Sequence, residues 1–326
     1  MVRARITGTG SAVPDKVLTN FDLEKMVETS DEWITTRTGI KERRIAAEGE
    51  YTSTFAVKAA NNALKMAGVT AADIDLIIVG TISPDFPFPA TACLVQNDIG
   101  ATNAVAFDVT AACSGFVYAL SIADKFISTG AAKKALVIGA EVLSRLVDWT
   151  DRNTCLLFGD GAGAVVLEAC EGEHGILSSH IHSDGAYWEL LYQAGCGSRN
   201  PPVQKSIDEK SVFLMMQGNE IFKLAVRAMA EVANEALVAN NMAIADIDLF
   251  IPHQANRRII DAIGKRLGLA DERVVVNLDR YGNTSAASIP IALDEVNRAS
   301  RINAGDILLL DAFGGGLTWG SVLLRW

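Results

Sequence analysis

Apolar positions recur along the chain in two rhythms. Phe55, Ala59, Ala63 and Met66 fall on one face of a helix that Ser53 can cap and Gly68 can stop. Phe222, Val226, Met229, Ala233 and Leu237 mark a second such face. Phe116, Ala119, Leu120, Ala123, Phe126 and Ile127 predict a third helix, from Ser114 to near Gly130. Between these stretches lie short apolar runs, at 76–79, 105–109, 164–167, 249–252, 274–278 and 321–324, that read as buried strands.

The pattern is written twice. Ala72-Asp73-Ile74-Asp75-Leu76 recurs as Ala245-Asp246-Ile247-Asp248-Leu249, each copy preceded by a helix and followed by a strand. The strand 105–109 leads through a tight turn into a helix. The strand 274–278 leads through Tyr281-Gly282-Asn283 into a helix near Ala286. Phe158-Gly159-Asp160-Gly161 and Phe313-Gly314-Gly315-Gly316 each precede a late strand. Three matched features in one order predict a duplicated α/β protein with layered sheets and helices. The charged run 168–174 reads as a linker, which divides the chain into halves 1–172 and 173–326.

Composition narrows the class. The 326 residues are 49% hydrophobic and 21% charged, enough to fill a large core and to exclude wholesale disorder. Apolar runs are too short to span a bilayer, and the charged start has no apolar core behind it, so a cytoplasmic protein without a membrane partner is expected. A net charge of −10 argues against nucleic acid as a partner, and any anionic partner needs a local basic patch. Cys93, Cys113, Cys155, Cys170 and Cys196 are odd in number and lack zinc-ligand spacing, which fits a reducing setting.

Three residues stand out chemically. Cys113 falls where strand 105–109 turns into a helix, and the free N–H groups of a helix N-terminus favour a thiolate. His253 ends an apolar strand in Pro252-His253-Gln254-Ala255-Asn256, where α/β proteins place their sites. The repeat puts Gly80 at the matching position, so the fold does not require an imidazole there. Asn283, in Gly282-Asn283-Thr284-Ser285, lies in the turn that answers the Cys113 turn. Related halves would bring the three towards one centre suited to acyl chemistry. His180-Ile181-His182 could place two imidazoles on one strand face, but no neighbouring carboxylate or cysteine completes a ligand set, so no metal is expected.

These motifs, with Phe313-Gly314-Gly315-Gly316-Leu317-Thr318-Trp319-Gly320, resemble β-ketoacyl-[acyl-carrier-protein] synthase III over essentially the whole chain. The resemblance implies the duplicated thiolase-like fold, layered αβαβα with pseudo-twofold-related halves, a homodimer, and the first condensation of type II fatty-acid synthesis. By that likeness Cys113 takes an acyl group, typically acetyl, from acyl-CoA, which is a substrate and not a cofactor. The backbone N–H groups of Cys113 and Gly315 hold the oxyanion. His253 and Asn283 bind the thioester carbonyl of malonyl-acyl carrier protein as carbon dioxide leaves.

The likeness also places Trp33 and Arg152 around the CoA adenine, Arg37 on a CoA phosphate, and Thr29, Asn219 and Asn256 along the nucleotide and pantetheine arm. Phe88 resembles a residue that reaches into the neighbour's acyl pocket. A basic face is visible without the family. In the helical pattern from Gln254 to Leu267, Ile259, Ile260, Ile263 and Leu267 share the core side, while Arg258 and Lys265 lie opposite with Arg257 and Arg266 flanking. An acidic carrier protein could dock there, and Lys223 joins it by resemblance. Asn153, Gln217 and Arg257 depart from the expected pattern, which bears on CoA fit and carrier docking.

Several rivals fit less well. A condensing enzyme of secondary metabolism with an unusual primer shares these motifs. A degradative thiolase would carry a second cysteine near Gly314-Gly315-Gly316, and none is there. A papain-like hydrolase would show a different cysteine context. Gly159-Asp160-Gly161-Ala162-Gly163-Ala164 formally fits a dinucleotide loop, but a strand-like run follows where a helix must begin. A non-catalytic acyl-binding protein would not need Cys113, His253 and Asn283 together.

Overall fold

A computed structural model describes residues 2–326, and in it the repeated acids build the same corner twice. Asp73 accepts the N–H of Thr70 (2.8 Å) and Asp246 that of Ala243 (2.7 Å), each closing a short 3-10 turn. Asp75 then accepts the N–H groups of Lys133 and Lys134 (2.8 and 3.0 Å), and Asp248 accepts that of Ile307 (2.8 Å). Each acid pins the start of the strand that runs parallel to its own. This explains why five residues recur: two carboxylates satisfy backbone donors that a turn would otherwise leave unpaired.

In the N-terminal part the strands are β1 (Val2–Ala12), β2 (Val17–Thr19), β3 (Glu42–Arg44), β4 (Leu76–Gly80), β5 (Val105–Val109), β6 (Lys134–Val142) and β7 (Asp160–Glu171). The helices there are α1 (Asn20–Leu23), α2 (Asp31–Thr38), α3 (Thr52–Ala67), α4 (Thr91–Ile99) and α5 (Gly115–Ser128). Then follow β8 (Gly175–Ser183), β9 (Leu191–Gln193), β10 (Leu214–Met216), β11 (Leu249–Pro252), β12 (Ile307–Gly314) and β13 (Thr318–Arg325). Their helices are α6 (Gln204–Asp208), α7 (Gly218–Ala239), α8 (Arg257–Leu267), α9 (Leu278–Tyr281) and α10 (Ser288–Arg298).

One sheet runs β1-β7-β6-β4-β5 and the other β8-β13-β12-β11, with the same sequence of antiparallel and parallel pairings. Helices α3 and α4 pack on the outer face of the first sheet. Helices α5 and α10 fill the space between the sheets, and α7 and α8 cover the outer face of the second. The result is five layers, αβαβα. No described helix is long and apolar enough to cross a membrane.

Four details differ from the sequence reading. The run 274–278 does not form a full strand; only Val274 bridges Phe250, with the Val275 N–H donating to the Phe250 carbonyl (2.9 Å). The next ladder donor would be Pro252, which has no N–H, so the Gln254 side chain donates to the Val275 carbonyl instead (3.1 Å). Ser53 does not cap α3; Tyr51 holds that position, and the Ser53 N–H and hydroxyl both go to Asp85 (2.9 and 2.5 Å). Residues 168–171 of the expected linker are the end of β7, so the turn into β8 spans only 172–174. Strand β5, expected to be buried, is a sheet edge on which Val105 is exposed.

The two central helices meet the sheets through glycine. A Cβ on Gly80 would lie 2.6 Å from the Gly115 carbonyl carbon, and one on Gly139 would lie 2.2 Å from the Ala286 oxygen. Neither contact can be relieved by a rotamer change, because both neighbours are backbone. Gly139→Ala is therefore expected to cost about 3 kcal/mol or more, read as a lowered urea midpoint; an unchanged midpoint would show that the layers can separate freely.

Candidate active site

Two short turns of one design face each other between the sheets. In the first, Ala112 takes a left-handed backbone (φ 46°), residues Ala112–Ser114 form a 3-10 turn, and α5 starts at Gly115. In the second, Ser285 takes the same conformation (φ 48°), residues Ser285–Ala287 form the turn, and α10 starts at Ser288. Matched position by position, Cys113 corresponds to Ala286, so only one half carries a thiol. Left-handed residues other than glycine cost about 1–2 kcal/mol each and persist where surrounding structure holds them. Here the 314–318 loop does so. A Cβ on Gly314 would lie 2.6 Å from the Cys113 nitrogen, Ser114 donates to the Thr318 carbonyl (3.0 Å), and Thr318 donates to that of Ala111 (2.9 Å).

Cys113 is 7% exposed and borders two cavities. The first, of about 800 Å³, also meets His253, Asn283, Asn256, Phe222 and Phe313. The second, of about 970 Å³, is lined by apolar Ile82, Leu143, Leu146, Phe158, Leu191 and Leu214, together with Ser285 and Gly315. The sequence predicts a lowered thiol pKa, whereas the structure reverses this. Burial pushes the thiol up to about 12; the nearby Ser285 hydroxyl pulls it down and the Glu141 charge adds to the rise. At rest the Cys113 side chain is therefore a neutral thiol.

His253 follows β11, anchored by its N–H to the Asp311 carbonyl (2.8 Å). Its Nδ1 lies 2.7 Å from the Ser288 hydroxyl oxygen, which also accepts the Gln254 N–H (3.3 Å). We assign the Ser288 proton to Nδ1, the tautomer in which Nε2 faces the cavity as an N–H donor. Burial holds the imidazole down at about 3, so it is neutral at physiological pH. Asn283 is ordered likewise. Its Oδ1 accepts the Ser285 N–H (2.8 Å), which turns Nδ2 out as the remaining donor. Two uncharged N–H groups thus border the first cavity beside the thiol.

The remaining predicted positions spread along one path and one surface. Arg152 and Arg37 stand 4.7 and 5.4 Å from the Trp33 ring centre, so arginine itself occupies the ring face expected to receive an adenine. Asn256 caps α8 through the Arg258 N–H (2.8 Å) and donates to the Arg37 carbonyl (3.2 Å), linking this cluster to the first cavity. The Thr29 hydroxyl is buried without a partner, and Asn219 is exposed in the first turn of α7. Phe88 is 85% exposed and lines neither cavity of its own chain. On α8 the apolar and basic faces separate as expected. Arg257 is paired with Asp261 (2.6 Å), Lys223 with Glu220 (2.9 Å), and Arg258 leans over Phe222 at the first cavity. Lys265 and Arg266 extend the exposed face.

Local sequence missed other partners. Glu235 of α7, more than fifty residues away in sequence, bonds both His180 (3.1 Å) and His182 (2.7 Å); no group of His, Cys, Asp or Glu among the described residues is arranged to hold a metal. Ser285, Ser288 and buried Glu141 also went unread. The signals available were the register of Ala112 with Ser285 and an acid closing the apolar run 135–142.

This fold and this thiol, imidazole and amide define a thiolase-like condensing enzyme. Residues 107–185 match the family model described as 3-oxoacyl-[acyl-carrier-protein (ACP)] synthase III, and residues 237–326 match that of its C-terminal region. The chain is 56% identical to a β-ketoacyl-[acyl-carrier-protein] synthase III of Xylella fastidiosa, over 99% of this chain and 98% of that one. The crystal structure of a 3-oxoacyl-[acyl-carrier-protein] synthase III from Aquifex aeolicus superposes with TM-score 0.93 at 52% identity, covering 99% and 100% of the two chains. The priming β-ketosynthase of the R1128 polyketide pathway superposes with TM-score 0.92 at 35% identity, covering 99% and 96%. The chain belongs to the β-ketoacyl-[acyl-carrier-protein] synthase III family.

Because Ser288 orders the His253 tautomer, Ser288→Ala is expected to lower condensation about tenfold or more while Cys113 still accepts an acyl group. Stopped-flow condensation beside mass detection of the acyl-enzyme checks this; equal loss of both would remove Ser288 from its assigned place.

Proposed function

We propose that the protein condenses acyl-CoA, with acetyl as the primer, and malonyl-acyl carrier protein into 3-ketoacyl-carrier protein, the opening step of type II fatty-acid synthesis. The observation that supports this most is a single thiol between two cavities, one of them furnished with two neutral N–H donors. Cys113 attacks the acyl thioester, and the backbone N–H groups of Cys113 and Gly315 receive the oxyanion. The apolar second cavity takes the acyl chain. Malonyl-pantetheine then enters the first cavity, where His253 and Asn283 donate to its thioester carbonyl. Charge develops on that oxygen only as carbon dioxide leaves, so neutral donors bind the transition state better than the ground state. The carbanion attacks the acyl-cysteine.

CoA enters past Trp33, Arg37 and Arg152, with Thr29, Asn219 and Asn256 along its arm. The carrier protein docks on Arg257, Arg258, Lys265, Arg266 and Lys223, where Arg258 at the cavity marks the point of entry. Residues 1–172 supply the nucleophile and 173–326 the two donors. The active form is a homodimer, a reading supported by the open edge of β5 and the exposed Phe86 and Phe88. Five free cysteines fit the cytoplasm. The second cavity, lined by six large apolar side chains, exceeds what acetyl needs. With Phe88 of a second copy inside it, the cavity selects acetyl; left open, it favours the second reading, a longer primer for specialised metabolism.

Incubation with a panel of acyl-CoAs and malonyl-carrier protein, with products read by mass, is expected to give acetoacetyl-carrier protein as the main product; a longer product would select the second reading. In the same assay Cys113→Ser gives no acyl-enzyme, and His253→Ala loses about a hundredfold in malonyl decarboxylation while cysteine acylation survives. Normal decarboxylation by that variant refutes its assigned part. Lys265→Glu is expected to raise the KM for malonyl-carrier protein several-fold and leave that for acyl-CoA within twofold. Equal changes would move the docking surface elsewhere.

A further inference from the structure

The Cys113 proton has no acceptor among the three residues of the site. His253 uses Nδ1 on Ser288 and presents Nε2 as a donor, and Asn283 presents an N–H. Glu141 lies close by. It is fully buried on β6, on the face shared with Gly139, where the turn before α10 packs. Its Oε2 accepts Ser83 Oγ (2.5 Å), the N–H groups of Ser83 and Ile82 (both 3.1 Å) and Thr81 Oγ1 (3.2 Å). Its Oε1 is buried without a partner, and so is the Ser285 hydroxyl. Ser285 lines the second cavity with Cys113 and precedes Ala286, whose backbone packs on Gly139 two residues from Glu141; its hydroxyl lowers the pKa of both the Glu141 carboxyl and the Cys113 thiol without closing a hydrogen bond to either.

We propose that Glu141, acting through Ser285, holds the Cys113 proton between the two half-reactions. The inference rests on the condensation reading above. In acylation the Sγ–C bond forms and the C–S bond to CoA breaks, with the electron pair leaving on the CoA sulfur. The thiol proton passes to Ser285 Oγ while the Ser285 hydroxyl proton passes to Glu141 Oε1. The CoA thiolate takes its proton from solvent after release. In condensation the malonyl C–C bond breaks, carbon dioxide leaves, and the carbanion displaces Cys113 with the electron pair on Sγ. Glu141 returns the proton by the same two hops. Each turnover consumes one solvent proton, which ends on CoA, and Glu141 is regenerated as a carboxylate.

Burial raises Glu141 to about 7, above the ordinary carboxylate range, which suits a group that must accept and return a proton near neutrality. The ionisable neighbours are few. Cys113 faces it from the turn before α5, and Ser285 and Ala286 face it from the turn before α10. Thr81 and Ser83 follow β4. Asp160 on β7 spends its carboxylate on Ala46 and Ser144.

Single-turnover acylation by labelled acetyl-CoA and alkylation by iodoacetamide, both at Cys113, are measured between pH 5 and 10. In the wild type both rates are expected to rise through an inflection near 7. Glu141→Gln and Ser285→Ala lose that inflection, and their acylation at pH 7 falls on the order of a hundredfold, at least tenfold more than malonyl decarboxylation falls. Glu141→Asp keeps a titratable group and restores an inflection. A wild-type pH profile in Glu141→Gln overturns the proposal. So does an equal fall of acylation and decarboxylation in Ser285→Ala, the variant that carries the test if Glu141→Gln does not fold. Alkylation needs no thioester, so a wild type that alkylates with the inflection but forms no acyl-enzyme overturns the condensation reading and leaves the Glu141 relay standing.

Discussion

The site depends on how closely the two halves approach. Cys113 and Asn283 belong to turns that start the two central helices, and these turns come together because glycine stands wherever backbone must meet backbone. Gly80 admits Gly115, Gly139 admits Ala286, and Gly314 admits the Cys113 nitrogen. Any side chain at these points would force the layers apart and spread the thiol, amide and imidazole beyond one substrate's reach. Such approach costs backbone strain at Ala112 and Ser285, and the surrounding layers absorb it.

A buried site of this kind works with uncharged groups. Burial raises the thiol and depresses the imidazole, so the resting pair is neutral in both members. An ion pair would bring a desolvation cost in every resting enzyme. Neutral donors avoid that cost and act most strongly when negative charge appears on a thioester oxygen. Each donor is fixed by a neighbour: Ser288, at the start of α10, for His253, and the Ser285 N–H, two residues on, for Asn283. Precision comes from these supports, which are themselves buried.

Duplication also shows what the second copy was free to change. The carboxylates that pin the parallel strands are kept in both halves, because both corners need them. The residue after the left-handed one is cysteine in one turn and alanine in the other, and the strand end is glycine in one half and histidine in the other. Chemistry sits where the fold is indifferent to the side chain. The basic face of α8 follows the same logic. Its buried side is constrained by the sheet, and its outer side is free of that constraint.

Local sequence marked helices α3, α5, α7, α8 and the start of α10, five of the strands, the duplicated order and the three residues that meet at the site, because amphipathic period and paired acidic turns are short-range signals. It could not determine the protonation of the site. A helix N-terminus argued for a thiolate at Cys113, but burial, which depends on both halves at once, outweighs it. Nor could it foresee that Pro252 would cut short the edge strand, that Glu235 would bridge His180 and His182, or that Glu141 would lie beside the nucleophile. These are contacts between residues 24 to 55 positions apart, and only the packed layers bring them together.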